Sequence, residues 1–184
     1  MSQASNPPRQ PPLFAGRDHL QQAWVVADLA AAMRHWTEVC GVGPFFVIEH
    51  APMQNLTYRG RAARLDCNVG LAQAGRTQIE LIEQNCGNPS IYRDYVPAGR
   101  SAFHHVAVYC TDYDRELAHY RSLGYAVAAD GTFGDMRFAY VDTHADLGCV
   151  LELLEDKPSI REYFGKIAAA ATGWDGRDPV RPSF

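Results

Sequence analysis

Apolar and polar residues alternate in short runs along most of this chain, and two of the runs give way to a helical pattern. Ala23 to Gly41, AWVVADLAAAMRHWTEVCG, opens as a strand and passes through Asp28. It continues with Leu29, Met33 and Trp36 at i, i+4 and i+7, one face of a helix that Gly41 ends. Val106 to Gly124, VAVYCTDYDRELAHYRSLG, repeats the phrase, with Tyr113, Leu117 and Tyr120 on the helix face. Asp28 and Asp112 are matching N-caps, and 112 − 28 gives an offset of 84 residues. Strand-like segments follow each helix: PFFVIEH, a stretch around LDCNVGLAQ, and TQIELIEQ in the first copy; YAVAAD, MRFAYVDT and CVLELLED in the second. Each half therefore reads as β-α-β-β-β, and the chain as an α+β protein made of tandem βαβββ modules. Module one is expected at 18–84 and module two at 102–155, together one domain over 18–155. The polar, proline-rich 1–17 reads as a flexible leader, and 156–184 as a C-terminal helix and a turn-rich tail. In that helix Ser159 reads as the N-cap, and Ile160, Phe164 and Ile167 form the face.

The last strand of each module carries a carboxylate among apolar residues, Glu80 in TQIELIEQ and Glu152 in CVLELLED. A lone strand acid usually faces solvent; two copies of one phrase point to a shared task. Seven residues before each Asp cap stand Gln21 and His105. Alternation puts His105, Ala107 and Tyr109 on one face and His104, Val106 and Val108 on the other, and the repeat selects His105 over its neighbour. Convergence of Gln21, Glu80, His105 and Glu152 would offer three oxygens and one imidazole nitrogen. That set suits a divalent ion of intermediate hardness such as zinc, nickel, cobalt or manganese. Glu83 and Glu155, three residues past the acids, are expected on the other face and solvated.

Module one has a surplus, GVGPFFVIEHAPMQNLTYRGRAAR, which reads as a pocket wall. Its candidate substrate contacts are Phe45, Phe46, Met53 and Tyr58, with Arg59, Arg61 and Arg64 behind them. Arg137, Phe138 and Tyr140 in the symmetry-related strand are the counterparts. An edge strand and turn is the alternative reading of the surplus.

Composition narrows the function classes. The 184 residues carry a formal net charge of −4, and no basic stripe interleaves with aromatics, which argues against nucleic acid. No apolar run reaches membrane length, and the first residues lack the apolar core of a secretory signal. Cys40, Cys67, Cys86, Cys110 and Cys149 are scattered and odd in number, as expected of reduced thiols in a cytoplasm. No HExxH, GxSxG or P-loop pattern is present.

QQAWVVADL, GVGPFF, QIELIE, FHHVAVYCTDYD and LELLE together resemble the vicinal-oxygen-chelate superfamily, which includes glyoxalase I, methylmalonyl-CoA epimerase, extradiol dioxygenases and bleomycin-resistance proteins. The resemblance runs from about Leu20 to Glu155. It implies a U-shaped mixed sheet around a metal site whose ligands come from the first and last strands of each module, here Gln21, Glu80, His105 and Glu152. The ligand order resembles that of glyoxalase I, whereas GVGPFF resembles the epimerase branch, from which Gln21 departs. The implied activity is that of a metal-dependent isomerase, epimerase or lyase. It would abstract a proton next to a carbonyl, with Glu152 as base and Glu80 as its symmetry-related partner. A small carbonyl or thioester substrate and a homodimer follow by the same resemblance. Two alternatives stay open. One is a metal-free binding or resistance protein on this fold; the other is an iron extradiol dioxygenase, which needs a second histidine where Gln21 stands.

Overall fold

A computed structural model describes residues 20–184; the expected leader and the first two residues of the expected module one lie outside them. The first module comprises β1 (Gln21–Val25), α1 (Leu29–Cys40), β2 (Phe45–Ile48), β3 (Met53–Tyr58), β4 (Arg61–Ala62), β5 (Cys67–Ala74) and β6 (Thr77–Gln84). A short helix, α2 (Ile91–Tyr95), leads into the second module. There follow β7 (Ala102–Cys110), α3 (Tyr113–Ser122), β8 (Val127–Phe133), β9 (Met136–Val141), α4 (His144–Leu147) and β10 (Val150–Glu155). The tail supplies α5 (Pro158–Ala171) and β11 (Val180–Pro182).

Both helices start where a carboxylate can satisfy free backbone donors. Asp28 accepts from the Ala31 N–H at 2.8 Å, and Asp112 from the Arg115 N–H at 3.3 Å. Gly41 ends α1 in the left-handed region, at φ 66°. On one face of the sheet, Leu29 and Met33 of α1 pack with Val26, Phe45 and Leu81. On the same face of the second module, Tyr113, Leu117 and Tyr120 of α3 pack with Val108, Val141 and Leu151. Each such side chain contributes about 1.5–3 kcal/mol when fully buried. Gly70 lets α1 lie this close, because a Cβ there would meet Met33 Sδ at 3.0 Å.

All eleven strands form one mixed sheet in the order β11-β2-β5-β6-β1-β7-β10-β9-β8-β3-β4. Within each module the first strand runs parallel to the last, β1 with β6 and β7 with β10. The modules meet at an antiparallel β1–β7 seam, so they pair inside one chain about a pseudo-twofold axis. The expected α+β architecture holds. Residues from β2 and β5 on one flank and from β8 and β9 on the other line a single cavity with the central strands, which makes that face of the sheet concave.

Three local readings need correction. The module-one surplus does form an edge hairpin, β3–β4, but it crosses the molecule and pairs with β8 of module two. Ser159 is not the cap of α5: Lys157 occupies that position, Pro158 starts the helix, and Ser159 Oγ donates to Asp135 at 2.6 Å. The turn-rich tail ends as a strand, with β11 parallel to β2 and Phe184 stacked on Phe46 at 4.8 Å. No disulfide joins the five cysteines, and no described helix is long and apolar enough to cross a membrane.

Candidate metal and substrate site

The pseudo-twofold seam sets the geometry of the concave face. Ala23 lies opposite Glu80 on one side and His105 on the other. Ala107 lies opposite Glu152 and Gln21. Both alanines are fully buried, and their short side chains leave the central floor to the longer residues flanking them. His105 Nε2 sits 3.2 Å from Glu80 Oε2 and 3.2 Å from Glu152 Oε2. One ligand atom from each of the three residues lies within 4.8 Å of the others.

A β-bulge adds a fourth participant. Ala23 faces His105 but Trp24 faces Phe103, so His104 is an extra residue with no counterpart in β1. The alternation breaks there. His104 was expected on the opposite face, yet its Nδ1 lies 3.0 Å from His105 Nδ1, and its Nε2–H reaches the Ile91 carbonyl at 3.1 Å. Burial above all, then charge on His105, pushes the His104 pKa down to about 3 against the pull of that carbonyl, so the ring is neutral. With its Nε2 hydrogen committed to Ile91, its Nδ1 accepts from His105 Nδ1–H. This chain of bonds turns His105 Nε2 toward the two carboxylates.

Two carboxylates and an imidazole buried together perturb one another. Burial by itself would lower the His105 pKa, but Glu152 and then Glu80 outweigh it and raise the value to about 9. Burial foremost raises the Glu80 pKa, and the nearby Glu152 charge adds to it while His105 opposes. Despite the short contacts, neither His105 Nε2 nor Glu80 Oε2 makes a well-aligned hydrogen bond. Buried polar atoms left this way are costly, and a shared divalent ion would satisfy both. One imidazole and two carboxylates are a donor set that fits zinc, nickel, cobalt or manganese with a coordination position to spare.

Gln21 is buried and borders the cavity. Its Nε2 donates to Gln78 Oε1 at 2.6 Å, so its amide oxygen is the end not committed to Gln78. Gln78 escaped the sequence reading, although its parity with Glu80 in TQIELIEQ was the available signal. Two tyrosines complete the polar lining. Tyr92 and Tyr140 hydrogen-bond through their hydroxyls at 2.9 Å, and both pKa values are raised well above normal, burial being the chief cause. Tyr140 was expected in the pocket; Tyr92, outside both modules, carried no signal.

Of the other expected contacts, Met53 lines the cavity, as does Phe138. Tyr58 lies outside this cavity, lining an adjoining cleft and the groove of Arg59, Arg61 and Arg64, and donates to Asp94 at 2.6 Å. Phe46 packs with Leu71 and Ile167 beside the cavity. Phe45 is buried under α1, on the other face of the sheet from the cavity. Arg137 is likewise turned away: it pairs with Asp114 at 2.8 Å and Glu155 at 2.9 Å and lies over the Tyr113 ring. Glu155, expected to be solvated, is held by Arg137 and Lys157, which draw its pKa down to about 2, the Arg137 hydrogen bond acting most strongly. The far wall comes from α5, through Ile160, Tyr163 and Phe164.

A family model described as the Glyoxalase/Bleomycin resistance protein/Dioxygenase superfamily matches residues 20–140. None of the curated proteins matches the chain in sequence. Among solved structures, methylmalonyl-CoA epimerase from Mycobacterium tuberculosis superposes with a TM-score of 0.53 at 16% identity, covering 78% of this chain and 91% of that one. A variant Streptomyces coelicolor methylmalonyl-CoA epimerase in complex with 2-nitronate-propionyl-CoA gives 0.55 at 17% identity, covering 77% and 96%. A hypothetical protein from Bacillus halodurans gives 0.53 at 13%, with the same coverage of 77% and 96%. At such identities the likeness is one of fold.

Proposed function

The chain belongs to the Glyoxalase/Bleomycin resistance protein/Dioxygenase superfamily, and on that premise we propose that it is a metal-dependent isomerase, epimerase or lyase. Its reaction removes a proton from carbon next to a carbonyl in a small carbonyl compound or thioester. One observation carries this reading: Glu80, His105 and Glu152 converge at the floor of a largely apolar cavity, with Glu80 Oε2 and His105 Nε2 left without an aligned hydrogen bond. A divalent ion held by these three, with Gln21 as a fourth ligand, supplies Lewis-acid stabilisation of the negative charge that develops on the carbonyl oxygen.

The chain's own groups do the rest. Glu152 is the base, a carboxylate bordering the cavity that takes the proton at its side-chain oxygen. Glu80 stands across His105 from it as the symmetry-related carboxylate. Glu152, which has taken the proton, returns it to the neighbouring carbon or to the same one, and Glu80 is the second base where the reaction needs the opposite side. Apolar walls keep water from the reacting carbon. The Tyr92–Tyr140 pair shares one of its two hydroxyl protons internally and offers the other to a substrate oxygen. An iron dioxygenase triad finds no second histidine ligand among the described residues, because both nitrogens of His104 are engaged.

The test is hydrogen exchange. Metal-loaded protein in deuterated water, given a panel of 2-substituted thioesters and 2-hydroxyketones, is expected to wash out the α-proton resonance of at least one. Glu152→Gln is expected to slow this by about 10²–10⁴-fold. Exchange unaffected by that substitution would contradict the assignment of the base.

A further inference from the structure

The walls of the cavity restrict what can bind, beyond the reaction class. No lysine or arginine borders it among the described residues; its only charged lining groups are Glu80 and Glu152. Among the described lining residues, an anionic substituent would meet two carboxylates and no lysine or arginine. Most of the remaining wall is apolar, including Ile48, Val69, Leu71, Met136, Phe138 and Leu154, with α5 on the far side. The centre of a water molecule has about 80 Å³ in which to move.

The wall formed by α5 is tied down. Tyr163 hydrogen-bonds Ser183 and meets the Phe184 ring edge-on, Phe184 stacks on Phe46, and β11 pairs with β2. The nearest cationic groove holds Arg59, Arg61 and Arg64. Between groove and cavity lies a cleft lined by Leu56, Leu65 and Ile91 with about 10 Å³ for a water centre, space for one water. Arg59 is already paired with Asp94 and Asp142.

We propose that the substrate is a compact, uncharged carbonyl compound with an apolar body, seated between the metal floor and α5. It carries an acceptor oxygen for the free hydroxyl proton of the Tyr92–Tyr140 pair. An acyl group on a long phosphorylated carrier does not fit this description. The inference rests on the metal-site reading above, and the probes are chosen to separate the two.

Zinc-loaded protein is titrated calorimetrically with acetohydroxamate, which needs only the metal, and with benzohydroxamate, which adds an apolar ring. Propionyl-CoA is then compared with the truncated propionyl-N-acetylcysteamine thioester. Benzohydroxamate is expected to bind at least about tenfold tighter than acetohydroxamate, since each buried CH₂-sized group adds a several-fold gain. Phe164→Ala is expected to reduce that preference while leaving acetohydroxamate binding unchanged. The two thioesters are expected to bind alike. Equal affinity for the two hydroxamates overturns the apolar-body assignment, with the metal reading intact. Propionyl-CoA bound tenfold tighter, with the gain lost in an Arg61→Ser, Arg64→Ser double variant, overturns the compact, uncharged ligand and places a phosphorylated tail in the arginine groove. Protein that retains no zinc and binds neither hydroxamate overturns the metal reading and this inference with it.

Discussion

The two halves of the central sheet share a scaffold and differ in what they place on it. Ala23 and Ala107 occupy equivalent floor positions, and Glu80 and Glu152 stand beside them. Where module one has Gln21 braced by Gln78, module two has His105, with Val150 in the place of Gln78. The support for His105 comes instead from His104, delivered by a bulge that β1 lacks. The duplicated backbone thus yields an asymmetric site: a neutral amide on one side of the seam, and an oriented imidazole on the other. Function in this fold resides in those few substitutions.

Breaking the asymmetric pair directly has the largest expected effect. His105→Ala is expected to weaken zinc binding by well over 100-fold, beyond the 10–100-fold that loss of an outer-shell partner costs. Gln21→Ala is expected to cost less than about tenfold, since amide oxygen is the weaker donor. Competition with a chromogenic chelator measures both, and equal losses would mean that the two halves contribute alike.

The supports come next. His104→Phe keeps the ring volume and removes the bond to His105 Nδ1; about 10–100-fold loss of zinc affinity is expected, because the ligand ring then loses its fixed tautomer. Gln78→Leu is expected to change affinity by less than about threefold. A His104→Phe protein with wild-type affinity and an unaltered ¹⁵N tautomer signature for His105 would remove His104 from the site.

A pH comparison sharpens the contrast between faces. Glu155, outside the site, has its folded pKa lowered to about 2 from 4.5. Its contribution is therefore fully present above pH 4.5 and fades as pH falls through 2. Glu155→Gln is expected to flatten the loss of stability over that window, as followed by urea unfolding; an unchanged acid limb would contradict the Arg137 pairing.

The smallest effects concern features that the two halves share. Asp28→Ala and Asp112→Ala should each cost about 1 kcal/mol, with the Asp28 value at least as large given its shorter bond. Thermal unfolding would show a deviation from that parity.

What could be read from sequence was local or duplicated. The caps and helix faces are local chemistry, and Glu80 and Glu152 stood out because one phrase occurs twice. The misreadings are matters of parity and pairing. Phe45 with Phe46, and Arg137 with Phe138, cannot share a sheet face, so period-two alternation already forbade placing both of each pair in the pocket. His104 is different in kind. Its bulge exists only because β7 pairs with β1 one residue out of step, and no property of FHHVAV announces it. The crossing of β3 to β8 is likewise an edge pairing between residues far apart in sequence. The closure by α5 depends on where the tail docks, which its own periodicity does not specify.

The most direct test of the central claim is metal stoichiometry. Protein purified without chelators, then dialysed against zinc, nickel, cobalt or manganese, is assayed by inductively coupled plasma mass spectrometry beside an E152Q, H105A double variant. Close to one divalent ion per chain is expected in the wild type and almost none in the variant. Metal absent from the wild type, or retained equally by the variant, would contradict it.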